Sequence, residues 1–297
     1  LYRIIQNYEK YMSELGFWNI AKKEPSKIAL VDPKGKEWSR QELHELANQV
    51  VHGLRSLGIK RGDSVAIVLH NCAEYYAINL ACAQSGIYMV PINWHLAGPE
   101  IAYILKDSEA KIFFGSSENK TIAETCIVAA SESELKSERL ISIRALEGFT
   151  PFSKLIEGQS VEIPQDRHPG SVMNYTSGTT GRPKGVKRGL VEGDPDEIAS
   201  LYTMLLGLFG IEPGNNNVHI CASPLYHTAP LLWSSSSLHL GHTVVLMDKF
   251  DPELMLKMID KYKVTTSHMV PTQFHRLLAL PDAIKNKYDC SSTKRMV

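Results

Sequence analysis

The chain has 297 residues, 43% hydrophobic and 22% charged, a balance that suits a globular protein with a sizeable buried core. Lys plus Arg and Asp plus Glu each total 32, so the long-range basic field on which nucleic-acid binding depends does not arise. No apolar run approaches the roughly 18 residues of a membrane span, and residues 1–10 mix charges among apolar positions, unlike a signal peptide.

In chain order, the first well-marked element opens at Ser39. Ser39 and Glu42 have the spacing of a capping box, and Gly58 stands where it can cap the far end. Between them Leu43, Leu46, Ala47, Val50, Val51, Leu54 and Leu57 recur at helical spacing. Next come an apolar strand over 64–69, a helix over 73–84 and a strand over 88–92. A helix over 99–106 and a strand over 111–114 complete the first series. Such alternation predicts βαβ units on a parallel sheet. Residues 132–167 are mixed and polar, the best place for a boundary. A second series follows, with strands over 171–175, 218–222, 243–247 and 265–269. Asp251 and Pro252 read as an N-cap acid and a first-turn proline, with Glu253 well placed for the helix dipole. The expected fold is therefore α/β, with two doubly wound, mainly parallel sheet subdomains spanning residues 1–165 and 166–297.

Position 1 is not Met, and Met296-Val297 reads as the opening of an apolar strand, so the chain reads as an N-terminal fragment of a longer protein. Cys72, Cys82, Cys126, Cys221 and Cys290 are dispersed, without a Cys-x-x-Cys pair. They read as free thiols in a reducing compartment, which implies a cytoplasmic address.

The chemistry concentrates in Tyr175-Thr176-Ser177-Gly178-Thr179-Thr180-Gly181-Arg182-Pro183-Lys184-Gly185-Val186. Glycines let backbone approach an anion closely, while hydroxyls and successive N–H groups donate to it. Lys184 adds a mobile charge, and Pro183 keeps the loop from winding into a helix. The string is neither a Walker A loop, because Gly185 rather than Ser or Thr follows Lys184, nor a G-x-G-x-x-G dinucleotide fingerprint. The loop follows a predicted strand, as does His227, so both elements are expected on the same edge of one sheet, where open α/β folds bind ligands.

This string resembles the phosphate-binding signature of the adenylate-forming, or AMP-binding, enzymes: acyl-CoA synthetases, luciferases and the adenylation domains of peptide synthetases. Pro224-Leu225-Tyr226-His227 resembles the family's next motif, where an aromatic residue and a histidine lie beside the bound carboxylate. Phe250-Asp251-Pro252-Glu253 and Val270-Pro271-Thr272 fall in the family's order. Upstream, Trp38-Ser39 through Val65-Ala66 and Pro91-Ile92-Asn93 to Lys111 resemble its N-terminal region, so the likeness covers essentially the whole chain.

The resemblance implies the N-terminal domain of an acyl-CoA synthetase without its C-terminal lid domain. Such an enzyme condenses a small-molecule carboxylic acid, fatty or otherwise, with ATP to an acyl-adenylate and pyrophosphate, then transfers the acyl group to coenzyme A. Thr176, Ser177, Gly178, Thr179, Thr180, Gly181 and Lys184 are the candidates for binding ATP. Mg²⁺ is expected with ATP, while the family's metal-binding acid and reactive lysine belong to sequence beyond Val297. Alone, the fragment is expected to be inactive.

His227 is the candidate catalytic residue, acting by positioning or gating, since a carboxylate needs no deprotonation at neutral pH. Its alternative is an ordinary structural histidine. Tyr226 and Thr272 join His227 as candidate acid-binding residues, a core tyrosine being the alternative for Tyr226. Trp233 and the four serines at 234–237 leave open either an acyl channel or a helix packed on the sheet. Other open readings are an adenylation domain that delivers to a carrier-protein thiol, and a non-catalytic ATP-binding module. A homodimer is left open.

Overall fold

The computed structural model describes residues 14–176, 183–214 and 216–297. Of the predicted phosphate-loop residues, Ser177, Gly178, Thr179, Thr180 and Gly181 lie outside the described residues. The strands begin with β1 (Ile28–Val31), β2 (Glu37–Ser39), β3 (Ser64–Ile67), β4 (Tyr88–Pro91), β5 (Ala110–Gly115), β6 (Leu140–Ser142) and β7 (Thr150–Pro151). They continue with β8 (Ser171–Val172), β9 (Asn174–Thr176), β10 (Lys184–Val186), β11 (Val218–Cys221), β12 (Thr243–Leu246), β13 (Thr266–Ser267) and β14 (Arg295–Met296).

The chain divides into two units. The central one comprises His44–His70 and Glu74–Pro195. Its sheet runs β7-β6-β5-β3-β4-β8, and every neighbouring pair is parallel. All four residues of β3 are buried, as are all four of β4, which is why these strands read as unbroken apolar runs rather than alternating ones. Helices Ala73–Ser85, Gly98–Asp107 and Lys120–Glu132 connect them. The capping box forms as predicted: Ser39 N–H donates to Glu42 at 2.7 Å and Glu42 N–H to Ser39 Oγ at 3.1 Å, opening helix Arg40–Ser56. Hydrogen bonding to its carboxyl from the Ser39 backbone N–H, and then from the Ser39 side chain, holds Glu42 below its ordinary pKa. At the far end Gly58 takes φ 76°, a left-handed conformation that glycine adopts without a Cβ penalty.

The second unit is discontinuous: the described residues up to Leu43, then Asn71–Ala73, then Asp196–Val297. Its sheet runs β14-β13-β11-β12-β1-β2, parallel except for β2 at one edge. Val31, Ile220, Val245, Met255 and Ile259 form the heart of one of its buried clusters. The subdomain boundary expected near residue 165 is therefore corrected. β1 pairs with β12 through Leu30↔Val244 and Val31↔Val245, so an N-terminal strand completes the later sheet. Conversely β8 pairs with β4 through Tyr88↔Ser171, which keeps residues just past the expected cut with the earlier strands. The strand expected over 171–175 is also split in two. β8 continues the parallel sheet, whereas β9 pairs antiparallel with β10.

Three histidines of the discontinuous unit are structural. His219 (1% exposed) lies 3.1 Å from Thr266 Oγ1 through Nδ1. His239 (7%) accepts a 3.0 Å hydrogen bond on Nδ1 from the Phe17 N–H, so that nitrogen carries no proton. His242 (1%) is 2.8 Å from the Glu212 carbonyl oxygen through Nε2, which must donate. Burial pushes their pKa values down to about 3, 4 and 4 respectively, because a charged imidazole loses its hydration there.

Candidate active site

Thr176 and Lys184 face each other as the cross-strand pair at the loop end of the β9–β10 hairpin, and both are exposed. The hairpin is fastened on both arms to the C-terminal half of helix Gly98–Asp107. From β9, Tyr175 Oη donates to Asp107 Oδ2 at 2.7 Å; beside β10, the Pro183 carbonyl accepts from Tyr103 Oη at 3.3 Å. Burial, and then the adjacent Asp107 carboxylate, push the Tyr175 phenol pKa up, so it remains a donor at any ordinary pH. Gly185 pairs with Tyr175 across the ladder, and a Cβ there would collide with the Met173 methyl and come within 2.9 Å of the Tyr175 ring. A side chain after Lys184 would thus need the Met173 methyl and the Tyr175 ring to shift. Farther along, Tyr88 Oη donates to the Arg188 carbonyl at 2.6 Å, and Lys187 Nζ lies 4.8 Å from the Tyr88 ring centroid.

Residues 222–227 follow β11 in the discontinuous unit. The expectation that this turn and the phosphate loop leave one sheet is corrected. The loop is bracketed by the separate β9–β10 ladder, while β11 lies inside the six-stranded sheet. The reason is that parallel pairing with β4 ends at Val172, and Asn174–Thr176 then pairs antiparallel with the following strand β10. His227 is the N-cap of helix Thr228–His239, with extended backbone (φ −83°, ψ 140°), and its N–H donates to the Pro224 carbonyl at 3.2 Å. Its ring reaches solvent and lies 4.3 Å from that of Tyr226, centroid to centroid. Partial covering lowers the His227 pKa and raises that of Tyr226, so each favours its neutral form. Tyr226 is half-buried rather than a core tyrosine.

Thr272 is exposed in the first turn of helix Pro271–Leu278, which follows β13. Because β11 and β13 are parallel neighbours, the segments after both emerge at the same carboxyl edge, where open α/β sheets bind ligands. Trp233, Ser234, Ser236 and Ser237 are buried, and the Ser237 hydroxyl donates back to the Trp233 carbonyl at 2.9 Å. This is the packed-helix alternative. Asp251 is the N-cap, accepting from the Leu254 N–H at 2.8 Å.

Two amides in this unit escaped the sequence reading. Asn71 Nδ2 donates to the carbonyls of Ser223 (3.0 Å) and Met247 (2.8 Å), and its Oδ1 accepts from the Leu225 N–H (2.9 Å). Gln273 Nε2 reaches the Ala222 carbonyl at 3.3 Å and Ser223 Oγ at 3.1 Å, while its Oε1 accepts from the Val270 N–H at 3.0 Å. An asparagine after a strand reads as a turn residue and a glutamine in a first helical turn as surface. Nothing local announces partners more than 150 residues away for Asn71.

Among the described residues, no cluster of three or more His, Cys, Asp or Glu side chains could hold a metal ion, and no helix is long and apolar enough to cross a membrane.

The family described as AMP-binding enzyme matches residues 17–297. The fatty acid–[acyl-carrier-protein] ligase ScoC of Streptomyces coeruleorubidus is 30% identical over 266 residues, covering 88% of this chain and 48% of that protein. For 4-coumarate–CoA ligase 1 of Petroselinum crispum the identity is 28% over 296 residues, covering 95% and 51%. The chain thus spans about half the length of these relatives. Among solved structures, the N-terminal domain of FACL13 from Mycobacterium tuberculosis superposes with a TM-score of 0.76 at 22% identity, covering 95% of this chain and 69% of that one. That likeness establishes the shared α/β fold.

Proposed function

The chain belongs to the AMP-binding enzyme family, and from that premise we propose that it is the N-terminal part of an ATP-dependent acid–thiol ligase. The intact protein would join a small carboxylic acid to AMP with release of pyrophosphate, and then pass the acyl group to coenzyme A. The β9–β10 hairpin carries this reading: it presents Thr176 and Lys184 side by side at the mouth of the family's phosphate-binding string.

The acid's carboxylate attacks the α-phosphorus while pyrophosphate leaves on the opposite side. That step needs alignment and charge neutralisation more than proton transfer. Lys184 supplies the positive charge, and the Thr176 hydroxyl a donor, to the leaving phosphates. Bound with ATP, Mg²⁺ would add charge neutralisation on the phosphates. Tyr226, His227 and Thr272 border the acid, with neutral His227 positioning it. A cytoplasmic address matches the five cysteines, none of which is in a disulfide.

Delivery to a carrier-protein thiol is the second reading, favoured by the 30% identity to a ligase named for that acceptor. The deciding experiment is acid-dependent exchange of labelled pyrophosphate into ATP by the complete reading frame, followed by addition of coenzyme A or of a carrier protein bearing phosphopantetheine. Exchange with one class of acid, then release of its coenzyme A thioester, is the expected result. No exchange across aliphatic and aromatic acids would refute adenylation, and transfer to the carrier protein alone would select the second reading.

A further inference from the structure

We propose that Asn71, supported by Gln273, is the positioning residue of the acid-binding turn, setting where Tyr226 and His227 stand; this rests on the reading of His227 given above.

The turn has a problem that side chains must solve. β11 ends at Cys221, so residues 222–225 have no ladder partner of their own, and Pro224 has no N–H to offer. Yet Ala222, Ser223 and Leu225 are 3%, 8% and 1% exposed. Polar backbone groups buried there without partners would each be costly. Asn71, 6% exposed, meets two of these needs at once: it accepts from the Leu225 N–H and donates to the Ser223 carbonyl, on either side of the proline. Its other amide hydrogen goes to the Met247 carbonyl, directly after β12. Gln273, also 6% exposed, takes the Ala222 carbonyl and the Ser223 hydroxyl, and is itself fixed by the Val270 N–H after β13.

The turn leaving β11 is therefore referenced to the exits of both neighbouring strands, β12 and β13. A placement set by three strand ends moves far less than a free loop. The next two residues are Tyr226, half-buried, and His227, exposed. Both Asn71 donors and one acceptor lone pair are used, so no isostere lacking the NH₂ group can replace it. Apolar side chains could bury the turn but could not pair with the Ser223 carbonyl or the Leu225 N–H. Convergent amides are the means of holding a reacting group within the ~0.5 Å that productive geometry tolerates.

The test uses the complete enzyme and pyrophosphate exchange with the best acid substrate. Asn71→Asp keeps the shape but sets a carboxylate oxygen against two carbonyls; Gln273→Glu does the same more mildly and carries the test if Asn71→Asp does not fold. Each is compared with His227→Ala, and each is combined with it. The expected result is a loss of about tenfold or more in kcat/KM for the acid, with the KM for ATP within about twofold of wild type. The loss should add little to that of His227→Ala, because residues that act through one group are not additive. Equal losses on the acid and ATP sides, or losses that multiply with that of His227→Ala, would mean general destabilisation and overturn the proposal. So would an effect of His227→Ala on the acid with none from Asn71→Asp or Gln273→Glu. Should His227→Ala itself leave the acid parameters unchanged, the reading of His227 fails first, and this inference with it.

Discussion

Lowering the pH from about 7.5 to about 5 bears on three side chains of the discontinuous unit in a calculable way. In the unfolded chain His219, His239 and His242 titrate near the ordinary ~6.5. In the folded chain they resist protonation down to about 3, 4 and 4. Burial dominates each shift; His242 and His268 add to that of His219, and Arg40 and Lys294 to that of His242. For His239 the geometry agrees, since protonating Nδ1 would remove the acceptor used by the Phe17 N–H. Below about pH 6.5 the unfolded state binds protons that the folded state refuses, so stability falls as pH falls, by ~1.4 kcal/mol per unit per histidine. At pH 5 that amounts to about 2 kcal/mol each and about 6 kcal/mol together, comparable with a typical stability of ~5–15 kcal/mol. The loss continues until the folded-state values near 3–4 are reached. Urea unfolding followed by far-UV circular dichroism at a series of pH values measures the slope. His239→Asn, whose amide oxygen can still accept from Phe17, should reduce that slope by ~1.4 kcal/mol per unit below pH 6. Stability that is level between about pH 6.5 and pH 5, or a slope that His239→Asn leaves unchanged, refutes the reasoning.

Three further outcomes are expected. Lys184→Ala in the complete enzyme should slow adenylation by about 100-fold, the usual cost of losing one group that stabilises developing charge; unchanged exchange kinetics would remove Lys184 from the phosphate site. Gly185→Ala, which brings a Cβ against Met173 and Tyr175, should destabilise the central unit by about 1–3 kcal/mol. Hydrogen exchange at the β9 and β10 amides reads that change, and wild-type protection would show that the ring can move aside. Asp251→Ala removes the N-cap of helix Pro252–Tyr262 and should cost about 1 kcal/mol in urea unfolding, whereas Asp251→Asn should cost little.

What could be read from the sequence depended on how local the cause was. Helix Arg40–Ser56 was legible because its capping box, apolar stripe and closing glycine all lie within twenty residues of one another. Strands β3 and β4 were legible as short apolar runs between turn residues. The place of β1 was not, since Ile28-Ala29-Leu30-Val31 carries no mark of its pairing with Val244 and Val245. Its absence from the reading shifted the subdomain boundary. At the candidate site, the string around Lys184 and the Tyr226-His227 pair announced themselves through unusual residue order. Their supports did not: Asp107, Tyr103, Asn71 and Gln273 act through contacts set by tertiary structure, and each alone resembles an ordinary helix or turn residue.

The position of β1 also bears on the order of events during synthesis. The central unit is complete once Pro195 has been made, whereas β1 cannot be seated until β12 follows, about 210 residues after β1 itself. At 5–20 residues per second, the roughly 50 residues between Pro195 and the end of β12 take about 3–10 s to emerge from the ribosome. Throughout that interval the four-residue apolar strand Ile28–Val31 is without its native neighbour β12, although all but its first residue is buried in the folded protein. A nascent chain paused in this window would present a hydrophobic segment of high β-propensity, the kind of sequence that chaperones hold and that aggregation recruits.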